Sequence, residues 1–384
     1  MRNTRGDSLR PRGSRVVHHL MGCVLSAALL AQPAWAQVAA PPGEGAEPVT
    51  HYGLLRTRDL TPFGFLRLDM RPAHAVASPP GNWAVEADFG YQNTWVLSKN
   101  VKTYLNTLPG RRGLGPDEVQ AIRDLPGEAF LVDLELGLLD ITFHRKFTER
   151  WGAFATVNGV MYTGGFLDGG IEWFHRSLDF PDAARPRAGR NDIHVIFDLK
   201  GSQTTLASLP DGGLLDPIFG ARYTAAPGRA PWNYVIEWAV KVPFDGEREF
   251  LSTGHFDFGV QATAQRFMHR HAAYASLAVV HSRSNSVAPA TEEFIPTAIL
   301  GYEYALNGHT NLNAQLYMSP SVFTSSDTGL DELRDNKYQI SFGLRHRIGP
   351  SLITVGVTEN LVYFNNSPDF GFQMAWIYSP VFAR

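Results

Sequence analysis

The sequence predicts an all-β fold: a transmembrane antiparallel β-barrel of about 12 strands, with 14 as the alternative, and a short amphipathic helix in a long external loop. Three observations lead there. Apolar and polar residues alternate with period two over long segments, and successive side chains of a strand point to opposite faces. The connections between those segments alternate long and short, as in barrels with short periplasmic turns and longer external loops. After Ala36 no stretch reaches 18 consecutive apolar residues, so a membrane crossing here is made by strands.

The chain opens with a basic stretch (Arg2, Arg5, Arg10, Arg12, Arg15), then an apolar stretch from Leu20 to Ala31, then Ala34-Trp35-Ala36. These are the three parts of a secretory signal, so residues 1–36 are expected to be cleaved after Ala36. The apolar stretch is too short for a lasting membrane helix. Leu20-Met21-Gly22-Cys23 resembles a lipoprotein box, but it precedes most of the apolar stretch. Cys23, the one cysteine, therefore leaves with the signal. That excludes a disulfide scaffold, a thiolate metal site and a cysteine nucleophile. Removing the signal's five Arg and one Asp from 34 basic and 37 acidic residues leaves a net charge of −7. Such a balance does not suit nucleic-acid binding.

Residues 37–50 are rich in Pro, Ala, Gly and Glu and read as a flexible periplasmic linker. Residues 51–80 carry Leu54, Leu60, Phe63, Phe65 and Leu66. Within the unit 37–80 this stretch either tucks into the lumen as an N-terminal plug or lies as a loose tail against the rim. The barrel itself is expected over 81–384.

Alternation places strands near 83–98, 128–147, 151–161, 214–225, 232–243, 254–267, 271–282, 293–306, 310–319, 336–347, 351–363 and 368–379. In the first, Trp83, Val85, Ala87, Phe89, Tyr91, Trp95 and Leu97 share a face that only Asn93 interrupts. In the second, Phe130, Val132, Leu134, Leu136 and Leu138 alternate with Asp133, Glu135 and Gly137. The last sets Phe370, Phe372, Met374, Trp376 and Tyr378 against Gly371, Gln373 and Ala375. Short turns fall at 148–150, 226–231, 268–270, 307–309 and 348–350. Long loops fall at 99–127, 162–213, 244–253, 283–292 and 320–335, with a modest one at Asn365-Asn366-Ser367. An even strand count puts both termini in the periplasm, and closure pairs every strand edge, as lipid demands. The polar faces, built from Gln, Thr, Ser, Asn and Gly, suit a wet lumen. A soluble sandwich or lipocalin-like barrel is the alternative; it would have shorter strands and an apolar interior.

The longest loop holds the most distinctive segment, Gly164 to Pro181. Leu167, Ile171, Phe174 and Leu178 form one helical stripe; Asp168, Glu172, His175 and Asp179 form the next. This short helix is expected over or in the external mouth, stopped by Pro181. Asp168, Glu172, His175, Arg176, Arg185 and Arg190 make up a candidate mouth or plug cluster. Glu172-x-x-His175 has the spacing of carboxylate-bridged metal helices, so Asp168, Glu172 and His175 are the candidate metal ligands. The competing and favoured reading is a set of ion pairs with Arg176, Arg185, Arg187 or Arg190. Residues 193–199 and 204–209 suit a small hairpin. No catalytic residue is assigned: there is no Gly-x-Ser-x-Gly elbow and no phosphate loop. His144 beside Thr142, and His281 beside Ser282, lie near strand ends without a convincing partner, and His269 and His271 flank a turn.

Gly165-Phe166-Leu167-Asp168, Ile171-Glu172 and His175 resemble the central motif of a bacterial family, domain of unknown function 3187. Thr57-Arg58-Asp59-Leu60-Thr61-Pro62, Ser252 to Asp257, Thr358-Glu359-Asn360 and Ser367-Pro368-Asp369 resemble its other motifs, in the same order. The resemblance covers roughly residues 50–380. It departs at Gly170, where an aromatic is usual, at Val242 to Gly246, and at the end, where Phe382-Ala383-Arg384 lacks a terminal aromatic. It implies an outer-membrane barrel and brings no established activity.

The expected location is the outer membrane of a Gram-negative bacterium. The first functional expectation is a porin-like passive channel or transporter for small, including hydrophobic, molecules, with a lumen that is narrow or plugged at this strand number. An outer-membrane lipid hydrolase and a structural or assembly barrel binding a partner through its loops are the alternatives. No cofactor is expected. The expected partners are outer-membrane lipids and, during insertion, the barrel-assembly machinery.

Overall fold

In the computed structural model each of the twelve alternating segments is a strand, hydrogen-bonded to both neighbours in antiparallel ladders. The structure describes residues 50–61, 64, 66–73, 81–179, 181–200, 202–206, 210–225, 231–244, 246–283, 290–361 and 367–383. The expected signal, most of the linker, Phe63, Phe65 and Asn365-Asn366 lie outside these residues.

The wall strands are β1 (Trp83–Leu97), β2 (Ala129–Lys146), β3 (Trp151–Thr163), β7 (Ile218–Thr224), β8 (Trp232–Lys241), β11 (Asp257–Met268), β12 (His271–His281), β13 (Phe294–Ala305), β14 (Thr310–Ser319), β15 (Lys337–Ile348), β16 (Ser351–Asn360) and β17 (Phe370–Tyr378). Five further strands lie in the long loops: β4 (His194–Leu199), β5 (Ser202–Leu206), β6 (Gly212–Leu214), β9 (Glu247–Arg248) and β10 (Ser252–Thr253). The ring closes where β1 pairs with β17, from Val85 opposite Tyr378 to Asn93 opposite Phe370. Closure leaves no wall edge unpaired, which is what a strand-built membrane span requires.

The outer face is apolar and exposed. Leu139, Ile141, Phe143, Phe219, Tyr234, Trp238, Phe258, Tyr302, Phe342, Met374 and Trp376 all stand open. Large apolar patches open to water are rare on soluble proteins, so this belt marks the lipid-facing wall. At the short-turn end Trp83 meets Phe143 at 6.2 Å and Tyr378 at 5.6 Å, and Trp151 meets Trp238 at 6.0 Å. Trp and Tyr gather where a wall meets the membrane interface. The inner face is polar, with Glu86, Asp88, Gln92, Asp140, Thr142, Gln261, Thr263, Glu303, Asn313 and Gln373 all buried.

β1 and β2 outgrow the ring at the long-loop end. β2 pairs with β3 over Glu135 to Lys146, and its first residues pair with β4, from Ala129 opposite Asp198 to Asp133 opposite His194. β4 and β5 form the expected hairpin, so β1, β2, β4 and β5 make a sheet wing above the barrel. Along β2 the apolar residues change faces at Leu138-Leu139. Below this point Leu139, Ile141 and Phe143 face outward and Asp140 and Thr142 inward. Above it, Phe130, Val132, Leu134 and Leu136 face inward, where they pack with Phe197, Phe250, Phe323, Leu333 and with Leu60 and Leu66 into an apolar cluster across the mouth. Asp133 and Glu135 therefore face outward, against the expectation that the polar residues of this strand line a wet lumen.

The wing's outer face is covered by two helices in the long loop expected at 99–127, α1 (Lys99–Thr107) and α2 (Pro116–Arg123). Val101 and Leu105, one helical turn apart, and Ile122 pack there on Trp95, Leu97 and Leu131. α2 starts with Pro116, and the Glu118 carboxylate accepts the Gly115 amide at 3.0 Å, closing the first turn. The helix in the longest loop, α3 (Asp168–Leu178), is where the apolar stripe puts it; a further single turn, α4 (Asp331–Arg334), lies in the loop before β15.

Candidate functional site

The lumen is filled by the chain's own residues 50–61, 64 and 66–73. His51 bonds to the His269 carbonyl in a short turn at 2.8 Å, which places the entry at the short-turn end. The Tyr52 and Gly53 amides donate to the Glu303 carboxylate at 2.7 and 3.1 Å. Arg345 donates to the Tyr52 and Leu54 carbonyls. Asn313 donates to the Gly53 carbonyl at 2.9 Å, and Gln315 to the Thr57 hydroxyl at 2.7 Å. The segment climbs to the mouth at Leu60 and Leu66, then turns back. The Leu68 amide donates to Asp257 at 2.9 Å, and Gln261 donates to the Arg71 carbonyl at 3.0 Å. Wall side chains thus supply the partners that a non-strand backbone needs when it is buried at membrane depth.

Charge fixes the register of this segment. Asp140 pairs with Arg58 at 3.0 Å and Arg71 at 2.9 Å. Glu86 pairs with Arg56 at 3.2 Å and is hydrogen-bonded to the wall's His144 at 3.1 Å. Lys337 pairs with Asp59, and Lys241 donates to the Leu66 carbonyl at 2.7 Å and pairs with Asp257 at 2.9 Å. Buried ion pairs add little net stability because desolvation offsets their attraction, but breaking one is costly. Their effect here is to make one seating of the segment far better than any slipped one.

Apolar knobs do the rest. A Cβ on Gly301 would lie 2.2 Å from the Leu54 side chain, one on Gly343 2.7 Å from Leu55, and one on Gly259 2.6 Å from Met70. All three glycines are inward positions of the wall. Each leaves a socket that a larger residue would fill, and burying Leu54, Leu55 and Met70 is worth roughly 1.5–3 kcal/mol per side chain. The free space left beside Arg56, Arg58, Asp88, Gln92, Asp140 and Gln373 is about 20 Å³, room for about one water.

The second constellation lies outside the wall. Asn93, Trp95 and Glu135 share the outward face with Phe89 and Leu139, and the loop that carries α3 packs on them. Glu135 is the hub. Its carboxylate accepts the Phe166 and Leu167 amides at 3.0 and 2.8 Å, the Tyr91 hydroxyl at 2.6 Å and the Asn93 amide at 3.1 Å. An acceptor at a helix start satisfies otherwise unpaired N–H groups and complements the helix dipole. Gly165 makes this approach possible: its φ is +78°, and a Cβ would fall 1.8 Å from the Glu135 carboxylate.

Asp168 pairs with Arg185, accepts the Asn191 amide at 2.8 Å, and takes a longer bond of 3.3 Å from Asn93. Arg185 also pairs with Asp369, donates to Asn93 at 2.9 Å and lies over the Trp95 ring at 5.3 Å. Glu172 is pinned by Arg190 at 2.5 Å and Arg111 at 2.6 Å. Burial pushes its carboxyl up, but the hydrogen bonds from Arg190 and Arg111 outweigh that and hold it below its ordinary value. His175 is half-buried in the last turn and Arg176 is exposed. Among the described residues no group of three or more His, Cys, Asp and Glu side chains could hold a metal ion, so Asp168, Glu172 and His175 do not form one.

The helix therefore forms at the residues the sequence predicts but not at the place. It was expected over or in the mouth; it lies on the outer side of the wing, and the mouth is closed by the cluster of Phe130, Phe197, Phe250 and Phe323 instead. The reason is the face change at Leu138-Leu139, which turns Glu135 outward and gives the helix start a partner there. Sequence reasoning missed Glu135, Arg111 and Asp369 as members of the cluster. Two signals pointed to Glu135: Asn93, the one polar residue on β1's apolar face, and the two consecutive leucines of β2.

Among curated proteins none matches the chain. Among solved structures, the COG4313 outer membrane channel from Pseudomonas putida F1 is 11% identical, with a TM-score of 0.48 over 81% of this chain and 100% of that one. The P. putida toluene transporter TodX is 10% identical, with a TM-score of 0.37 over 79% and 90%. A Pseudomonas aeruginosa FadL homologue is 10% identical, with a TM-score of 0.34 over 86% and 98%. The model of one protein family matches residues 126–379, from the wing through the last wall strand, and the chain belongs to that family, Protein of unknown function (DUF3187).

Proposed function

We propose that the chain is an outer-membrane channel for small molecules, held shut by residues 50–73 and opened by their displacement. The outer-membrane placement is supported by the closed ring and the exposed apolar belt. The observation that carries the channel reading is the manner of filling. The lumen is lined by polar side chains, yet a chain segment that belongs to no strand occupies it, joined to the wall by hydrogen bonds and ion pairs rather than by sheet pairing. A barrel of about eight strands can fill its interior with wall side chains alone, whereas this twelve-stranded ring has room for a separate segment. The segment enters from the short-turn end, so a periplasmic event can pull on it. The apolar cluster at the mouth favours permeants with an apolar part, since a strongly hydrated solute would have to shed its water there.

The test is solute entry into liposomes carrying either the full chain or a chain lacking residues 50–73. Faster entry through the shortened barrel supports the proposal. Equal impermeability of both, with both migrating as folded barrels, contradicts it.

A further inference from the structure

α3 is amphipathic in the reverse sense to a helix that caps a soluble domain. Its two carboxylates face the protein: Asp168 and Glu172 are buried against Arg185, Arg111 and Arg190, with Ile171 buried beside them as the one such apolar side chain among the helix's described residues. Its aromatic residues face away. Trp173 is 66% exposed and Phe174 40%, and Phe166, just before the helix, is 66% exposed. Apolar residues turned outward while carboxylates are turned inward have no rationale if water lies outside. They have one if lipid does, because the carboxylates then find their partners on the wall and the rings find the acyl boundary.

The position fits. Phe166 stacks on Tyr91 at 5.2 Å, Tyr91 stacks on Phe372 at 5.4 Å, and Phe372 lies 6.2 Å from Phe89. Phe89 and Phe372 stand on the lipid-facing side of β1 and β17. The aromatic surface of the helix loop is thus continuous with the barrel's belt at its long-loop end. We infer that α3 lies in the plane of the outer leaflet, with Trp173, Phe174 and Phe166 seated among lipids at the headgroup–acyl boundary, so that the loop is a lipid-binding surface rather than a lid. Trp is suited to that depth, since its ring is apolar and its N–H can bond to headgroup oxygens. This inference does not depend on whether the lumen conducts.

The experiment is spin-label depth measurement on the full chain with Cys23 replaced by Ser, reconstituted in phosphatidylcholine bilayers. Labels are placed singly by Trp173→Cys, Phe174→Cys, Phe342→Cys on the wall's outer face, and Asp117→Cys on α2. The expected result is a ratio of oxygen to aqueous-nickel accessibility at 173 and 174 that is raised over that at 117 towards that at 342. Equal water exposure at 173, 174 and 117, in protein whose unheated gel migration shows a folded barrel, overturns the inference. Loss of the raised ratio in the additional variant Glu172→Ala, with the Phe342 label unchanged, would tie the seating to the ion pairs beneath the helix.

Discussion

Single residues at both constellations carry more than one bond, and their removal has a directed consequence. Asp140 is the clearest in the lumen, since it faces Arg58 and Arg71 together. Asp140→Ala removes the carboxylate that two buried guanidinium groups share, and breaking a buried ion pair costs about 3–5 kcal/mol. The expected outcome is a barrel that still folds but whose segment 50–73 is cut by protease far faster than in the parent chain; equal cleavage would show that Asp140 does not hold it. On the outer side Glu172 predicts a pH dependence. Its carboxyl is held below its ordinary value of 4.5 by Arg190 and Arg111 acting against burial. A lowered folded value stabilises docking above the unfolded value, and that contribution is lost as pH falls below about 4.5. Cleavage within 164–192 by an acid-active protease is expected to rise below that pH in the parent chain, and to be high and insensitive to pH there in Glu172→Ala.

Elements show where sequence reading holds and where it stops. All twelve wall strands were legible because a strand at a lipid boundary has no freedom to mix its faces: outward must be apolar, and Phe342, Met374 and Trp376 obey. The hairpin of β4 and β5 and the helix α3 were legible for the same reason of period. α1 and α2 were not, because each is short and buries only one or two residues, Val101 with Leu105 and Ile122. Nor was the outward turn of Glu135, since alternation gives two faces without naming them. The placement of residues 50–61, 64 and 66–73 was legible only as a choice between two sites, because its sockets are glycines scattered over β11, β13 and β15. Gly301→Val tests that fit. The new side chain would occupy the Leu54 socket, and overpacking of this kind costs about 1–3 kcal/mol. Hydrogen exchange of the Tyr52 and Gly53 amides, which donate to Glu303, is expected to quicken while the β16 ladder is unchanged; unaltered exchange at both amides would mean the segment is not seated by that socket.

At the scale of the whole molecule the chain is a wall, a filling and a collar. The wall is fixed by lipid outside and by strand closure. The filling is seated by ion pairs and glycine sockets, which give it one register, and its displacement is what the proposed channel requires. The collar, made of the wing and its helices, puts an apolar cluster across the mouth and an aromatic helix on the outer side. The measurement that tests the central claim most directly is single-channel current in planar bilayers for three proteins: the full chain, Asp140→Ala, and the chain without residues 50–73. The account predicts a mostly closed full chain, frequent openings in Asp140→Ala, and a steady current through the shortened barrel. A shortened barrel that is folded by its gel migration yet passes no current would contradict it.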